Sequence, residues 1–205
     1  MSGIELRGRL IVFEGLDFCG KSTQVELLAA RLRAGGLSVT TTREPGGTPL
    51  GESLREIILS SGSAELLAIS ELLLFVTSRA QLVSKVIEPA LARREVVVSS
   101  RYRLSSAVYQ GCGRGIDLAL IERLNDAATR GRHPDLTFLV DLPAEVALAR
   151  KTGEKDRIEQ ESLAFYERVR RGYLELTRDD PHVHRIDGTL AVSEIAAEVA
   201  AYLCL

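Results

Sequence analysis

A chain of 205 residues can bury one full core, and 45% hydrophobic against 26% charged residues places it among globular proteins. A formal net charge of -2 gives no global basic field for nucleic acid, and no apolar run is long enough for a membrane helix. Cys19, Cys112 and Cys204 are few and far apart, which argues against a disulfide framework and for the reducing cytoplasm.

The first predicted element is a strand over Leu10–Glu14, too short and too flanked by Arg7 and Arg9 to be a signal peptide. A helix over Lys21–Ala34 follows. Between them, Gly15-Leu16-Asp17-Phe18-Cys19-Gly20-Lys21-Ser22 matches G-x-x-x-x-G-K-[ST] in its required strand–helix context. Gly15 and Gly20 permit backbone angles closed to other residues, so the loop N–H groups turn inward as an anion nest at a helix N-terminus. Lys21 then reaches the β/γ-phosphates and the Ser22 hydroxyl can ligate Mg²⁺. Gly15 to Thr23 are therefore the candidate triphosphate site. Asp17 is a carboxylate beside a phosphate cradle, awkward unless it faces a sugar hydroxyl; a solvated loop carboxylate fits equally well.

A second strand is expected over Ser38–Arg43 and a helix over Leu50–Leu59, joined by "TREPGGTPLGESLR". Arg43 and Arg55 offer guanidinium forks for phosphate, although spacing alone reads Arg55 as solvated. A long helical pattern, Glu65–Ala92, has room for a break. It sets Phe75 and Arg79 on one face, a ring and a cation that can stack on a base and bond its edge. Spacing alone favours a core Phe beside a surface Arg.

Glu95–Ser100 contains "VVV", as for a strand covered on both faces. Arg101 stands at its carboxyl end, where open α/β sheets bind ligands. Ser105 and Tyr109, and Ser106 and Gln110, form two polar pairs four apart on a short helix. Further elements are expected at Leu118–Thr129, Leu136–Asp141, Ala144–Arg150, Ile158–Thr177, Val183–Asp187 and Val192–Leu203. The alternation predicts an α/β fold with a mostly parallel sheet. Around Gly153, Arg150, Lys151, Lys155 and Arg157 interleave with Glu154, Asp156 and Glu159. They suit a closing lid over phosphates or an ordinary charged surface. His133, His182 and His184 have no metal-site spacing.

"FEGLDFCGKST", "TREPGGTPLGE", "FVTSRAQL", "SSRYRLSSAVYQG" and "DRIEQES" together resemble the thymidylate kinase family, in order and nearly end to end. The resemblance implies one P-loop NTPase domain over residues 1–205, with a five-stranded parallel sheet in the order 2-3-1-4-5 and a lid near residues 150–158. It implies ATP with Mg²⁺ as phosphoryl donor, dTMP as acceptor, a homodimer, and no nucleic-acid or membrane partner. Gly15, Leu16, Asp17, Phe18, Cys19, Gly20, Lys21, Ser22 and Thr23 would hold ATP. Asp17, Glu44, Arg55, Phe75, Arg79, Arg101, Ser105, Ser106, Tyr109 and Gln110 would hold dTMP. Lys21, Arg101 and Arg150 would be catalytic, and Ser22 the metal ligand. Phe18 stands where some members carry an arginine, which directs attention to the lid cations Arg150, Lys151 and Arg157. Ser100 stands where the family usually has Asp. Mg²⁺ must then rely on Ser22 and phosphate oxygens, or Glu14 or Asp17 must substitute, or activity is low; another nucleotide or nucleoside kinase, or a binding paralogue, stays open.

Overall fold

The computed structural model describes residues 5–60, 62, 66–151, 154 and 156–205. Glu65, Gly153 and Lys155, which figure in the expectations above, lie outside the described residues.

Five strands form one sheet: β1 (Leu10–Glu14), β2 (Val39–Arg43), β3 (Val96–Ser100), β4 (Leu136–Asp141) and β5 (Val183–Asp187). Their order is β2-β3-β1-β4-β5, all parallel, as expected. Every residue of the central strands β1 and β3 is buried, so their apolar runs are unbroken; the edge strands "VTTTR" and "VHRID" carry the polar residues that an open edge tolerates. Period two splits β1 between two layers. Ile11 and Phe13 pack with Val25, Leu28, Val96 and Val98, and Leu10 and Val12 pack with Leu82, Val83, Ile87 and Val97.

The helices are α1 (Lys21–Ala34), α2 (Pro49–Leu59), α3 (Ala68–Leu82), α4 (Glu88–Ala92), α5 (Arg103–Ser106), α6 (Leu118–Thr129), α7 (Ala144–Ala149), α8 (Leu163–Leu176) and α9 (Val192–Tyr202). The break foreseen in the long helix is a π-helical segment, Val83–Ile87, joining α3 to α4. It ends two residues before Pro89, which cannot donate to the preceding turn and crowds its carbonyl. A second π-helical segment, Ala107–Gly113, continues α5. Several element ends shift by one to three residues from expectation, and the largest departure is α8, which starts at Leu163, not Ile158. Asp156 accepts from the backbone N–H of Ile158 (2.9 Å) and Glu159 (2.8 Å), which caps a separate turn. Ser162 then caps afresh by accepting from Phe165 N–H at 3.2 Å.

The register sets Phe13 beside Ser100, so Glu14 and Arg101 leave neighbouring strand ends together. Gly15, at φ 140°, lies so close to β4 that a Cβ would sit 2.5 Å from the Val140 carbonyl oxygen. We predict that Gly15→Ala lowers stability by about 1–3 kcal/mol, read as a lower urea midpoint with an unchanged slope. An unchanged midpoint would show that loop and strand are not tightly apposed.

Candidate active site

Beyond β1 the chain turns through Gly15 and enters α1 from Gly20, whose φ of 95° is a left-handed cap. Lys21 Nζ donates to Leu16 O at 2.5 Å and lies 3.6 Å from Cys19 Sγ. Burial, and then Arg101, push its ammonium below the ordinary value.

Arg101 also has a left-handed backbone, φ 73°, anchored where its N–H donates to Phe13 O at 2.9 Å. That conformation is uncommon for a side-chain-bearing residue and concentrates at functional sites. Its Nη2 donates to Asp17 Oδ1 (2.6 Å) and the Tyr109 hydroxyl (3.0 Å), and its Nη1 to Ser105 Oγ (2.9 Å) and the Tyr173 hydroxyl (3.3 Å). The guanidinium also lies 4.8 Å from the Tyr109 ring centroid. Behind it, Glu14 Oε2 accepts from Ser105 Oγ (2.6 Å) and Tyr173 OH (2.8 Å). Glu14 Oε1 accepts from the backbone N–H of Tyr102 (2.9 Å) and Ser105 (3.2 Å). Asp17 Oδ2 accepts from Tyr109 OH at 2.9 Å and Tyr166 OH at 3.3 Å. Burial pushes the Asp17 carboxyl up, but Arg101, Lys21 and Tyr109 outweigh it and hold the group below the usual carboxylate range.

Two cavities meet at this cation. One, with about 560 Å³ of open space, has apolar walls from Pro45, Leu59, Phe75 and Ile158 and polar walls from Ser105, Ser106, Tyr109 and Gln110. The other is floored by Gly20, Lys21, Ser22 and Thr23, with Phe18, Arg43, Ser100 and Arg150 around it. Asp17, Glu44, Arg55, Arg101 and Glu159 line both. A flat apolar slot opening onto a cluster of cations suits a base-bearing phosphate facing a second phosphate chain.

The thymidylate kinase family model matches residues 13–199. The chain belongs to the thymidylate kinase family. It is 46% identical over 190 residues to the thymidylate kinase of Fervidobacterium nodosum, covering 92% of this chain and 95% of that one. With the thymidylate kinase of Geobacter sulfurreducens it shares 45% over 202 residues, covering 94% and 95%. The crystal structure of thymidylate kinase from Ehrlichia chaffeensis superposes with a TM-score of 0.80 at 36% identity, covering 97% of this chain and 100% of that one. The sheet is that of a P-loop NTPase.

Several expected thymidylate kinase site residues sit elsewhere than the sequence suggested. Arg79 does not line the base cavity. It is 1% exposed, and its guanidinium donates to Glu44 (2.8 Å), Asn125 (2.5 Å), the Tyr102 carbonyl (3.2 Å) and Ser106 Oγ (3.1 Å). It stands behind Glu44 and Ser106, which do line the cavity, so no direct contact of Arg79 with a base edge follows from this geometry. Leu16 and Cys19 are buried beneath the loop, and Gly15 faces β4, so none of these three lines the phosphate cavity. Among the lid candidates, Lys151 pairs with Glu159 and Arg157 with Glu71, whereas Arg150 is exposed on the cavity with no ion pair among the described residues. Glu14 and Asp17, considered above as substitutes at the metal, both have their oxygens committed to protein donors.

Tyr166 and Tyr173 were missed. They are seven apart on the buried face of α8, and a buried phenol needs a hydrogen-bond partner; that was the available signal. Their partners, Asp17 and Glu14, lie across the fold.

Asp17 gives a pH prediction. Its lowered pKa contributes stability present above the ordinary aspartate value of about 3.9 and lost as pH falls through the folded value. Asp17→Asn, which leaves Lys21 and Arg101 facing one another, is expected to lower Tm at pH 7. The gap from the parent should narrow as pH falls from about 5 to about 3. A gap constant with pH would mean the carboxylate is not held by these cations.

Proposed function

We propose that this chain is an ATP-dependent dTMP kinase, passing the γ-phosphoryl of ATP to a 5′-phosphate oxygen of dTMP to give dTDP and ADP. The observation that carries this reading is Arg101, one guanidinium lining both cavities. The acceptor oxygen is already anionic at neutral pH, so no base is needed; the transfer needs alignment and positive charge along its line. Lys21 serves the β/γ-phosphates, and Arg101 bridges donor and acceptor. Arg55, whose Nη1 donates only to Pro45 O at 3.1 Å and which has no ion pair among the described residues, serves the acceptor phosphate. Arg150 closes from the lid side. Phe75 stacks on the base, Tyr109 lies under the sugar, and Asp17, whose Oδ1 accepts only from Arg101 among the described residues, keeps one lone pair for the 3′-hydroxyl.

The residues fit Mg²⁺ in hydrated form. Ser22 and Glu44 line the same cavity, and Glu44 Oε1 is buried with no hydrogen-bond partner among the described residues. When bound, Mg²⁺ would neutralise the β- and γ-phosphate oxygens and keep them in line. Ser100 lines this cavity too, as a neutral oxygen and a weak partner for a hard dication. The three cysteines are free, which supports a cytoplasmic setting. Among the described residues no helix is long and apolar enough to cross a membrane. A homodimer through helices would cover Leu67, just before α3, and Ile69 and Leu73 along it, all of which are exposed.

ADP release is expected with ATP, Mg²⁺ and dTMP, weakly with dUMP, and not with thymidine, AMP or CMP. Arg101→Ala should lower kcat on the order of 10³-fold or more. Turnover of thymidine, or an Arg101→Ala enzyme within about tenfold of the parent, contradicts the reading. Ser100→Asp should lower the Mg²⁺ concentration giving half-maximal rate. An unchanged or raised requirement counts against the account of the metal.

A further inference from the structure

Gln110 forms part of the base cavity wall, yet only 1% of it is exposed. Its Nε2 donates to Glu71 Oε1 at 2.8 Å. Glu71, on α3, does not line the cavity and is itself buried. It also accepts from Arg114 Nε (3.3 Å, at Oε1) and Nη2 (3.1 Å, at Oε2), and lies 2.6 Å from Arg157 Nη2. Burial pushes its carboxyl up, but the bonds from Gln110 and Arg114 outweigh this and keep it below the ordinary value. Glu71 is therefore ionised and can only accept.

An acceptor-only neighbour fixes which way an amide points. Gln110 must turn its NH₂ toward Glu71, because the reverse orientation sets a carbonyl oxygen against a carboxylate. Its own carbonyl oxygen is then left for the cavity, and no described residue donates to it. One helical turn earlier, Ser106 Oγ accepts from Arg79 Nη2 at 3.1 Å. A guanidinium can only donate, so the Ser106 hydroxyl proton remains available, and no described group accepts it. The wall thus offers an acceptor at Gln110 and, fully buried at its edge, the donor hydroxyl of Ser106, each polarity set from behind.

We propose that Glu71 is a positioning residue for base selection, holding the Gln110 amide so that the cavity takes a 4-oxo pyrimidine and rejects a 4-amino one. The 4-oxo ring presents a carbonyl beside an N–H and complements the wall; the 4-amino ring exchanges donor and acceptor at the same two positions. This deepens the dTMP kinase reading and rests on it. Arg114 and Arg157 keep Glu71 ionised, and Arg114 also pairs with Glu161 ahead of α8, so the same cluster ties the base wall to the segment beside the lid.

The test uses the full-length chain, with kcat/KM and calorimetric Kd measured for dTMP and for dCMP. In Glu71→Gln the residue facing Gln110 can donate or accept, and Gln110 is free to turn over. The dTMP-over-dCMP preference should fall about tenfold or more, mostly through tighter dCMP binding, with kcat for dTMP within about threefold of the parent. In a Gln110→Leu background, Glu71→Gln should change the preference no further. Glu71→Asp keeps an acceptor-only group and should keep the preference within about threefold even where it lowers Tm. An unchanged preference in folded Glu71→Gln overturns the proposal, as does a collapse of preference in Glu71→Asp or an equal effect of Glu71→Gln without the Gln110 amide. A parent that binds dTMP over dCMP but turns over neither refutes the kinase reading alone, while the binding measurements still decide the role of Glu71.

Discussion

The 2.6 Å ion pair between Arg101 and Asp17 is the contact on which the site depends, because it joins the loop after β1 to the end of β3. Without the carboxylate, Arg101 and Lys21 would face each other as partly desolvated like charges. With it, a guanidinium rests at the junction of two cavities, aimed by a left-handed backbone and by hydroxyls that Glu14 holds in turn. A cation arranged before its substrates arrive needs little reorganisation as charge moves past it, which is where electrostatic catalysis gains most.

Around that pair the molecule separates committed charges from available ones. Glu44 is neutralised by Arg79, Glu71 by Arg114 and Arg157, and Glu159 by Lys151. Among the described residues that line the phosphate cavity, Lys21, Arg55 and Arg150 have no such carboxylate partner. The buried pairs act as scaffolding: they orient Ser106, Gln110 and the segment before α8, while the unpaired cations face the space where phosphates belong. The same division bears on the proposed Mg²⁺: with Glu14 and Asp17 occupied by protein donors, the site would offer it mainly neutral oxygens and the Glu44 oxygen that has no partner among the described residues.

The sequence carried the parts of this arrangement that are local. The phosphate loop, the five strands and the placement of Arg101 at a strand end follow from glycines, periodicity and the strand-then-loop pattern within short windows. Depth did not follow. Spacing of four put Phe75 and Arg79 on one helix face, but a face continues from the cavity wall into the core, and Asn125 and Glu44 draw Arg79 inward. The start of α8 was misplaced because the expected helix ran back to Ile158, and only folding shows that Asp156 closes a separate turn before Ser162 caps the helix. Tyr166, Tyr173 and Glu71 were missed for a related reason: helical spacing can signal a buried phenol, but the partners that give these residues their roles lie far away in the chain.

The most direct test of the central claim is a crystal structure with a bisubstrate ligand that joins adenosine and thymidine through a phosphate chain. The account predicts the Arg101 guanidinium within about 3 Å of phosphate oxygens on both sides of the transfer point, with Asp17 still beside it. An Arg101 side chain turned from the phosphate chain, with no phosphate oxygen within about 4 Å, would contradict it.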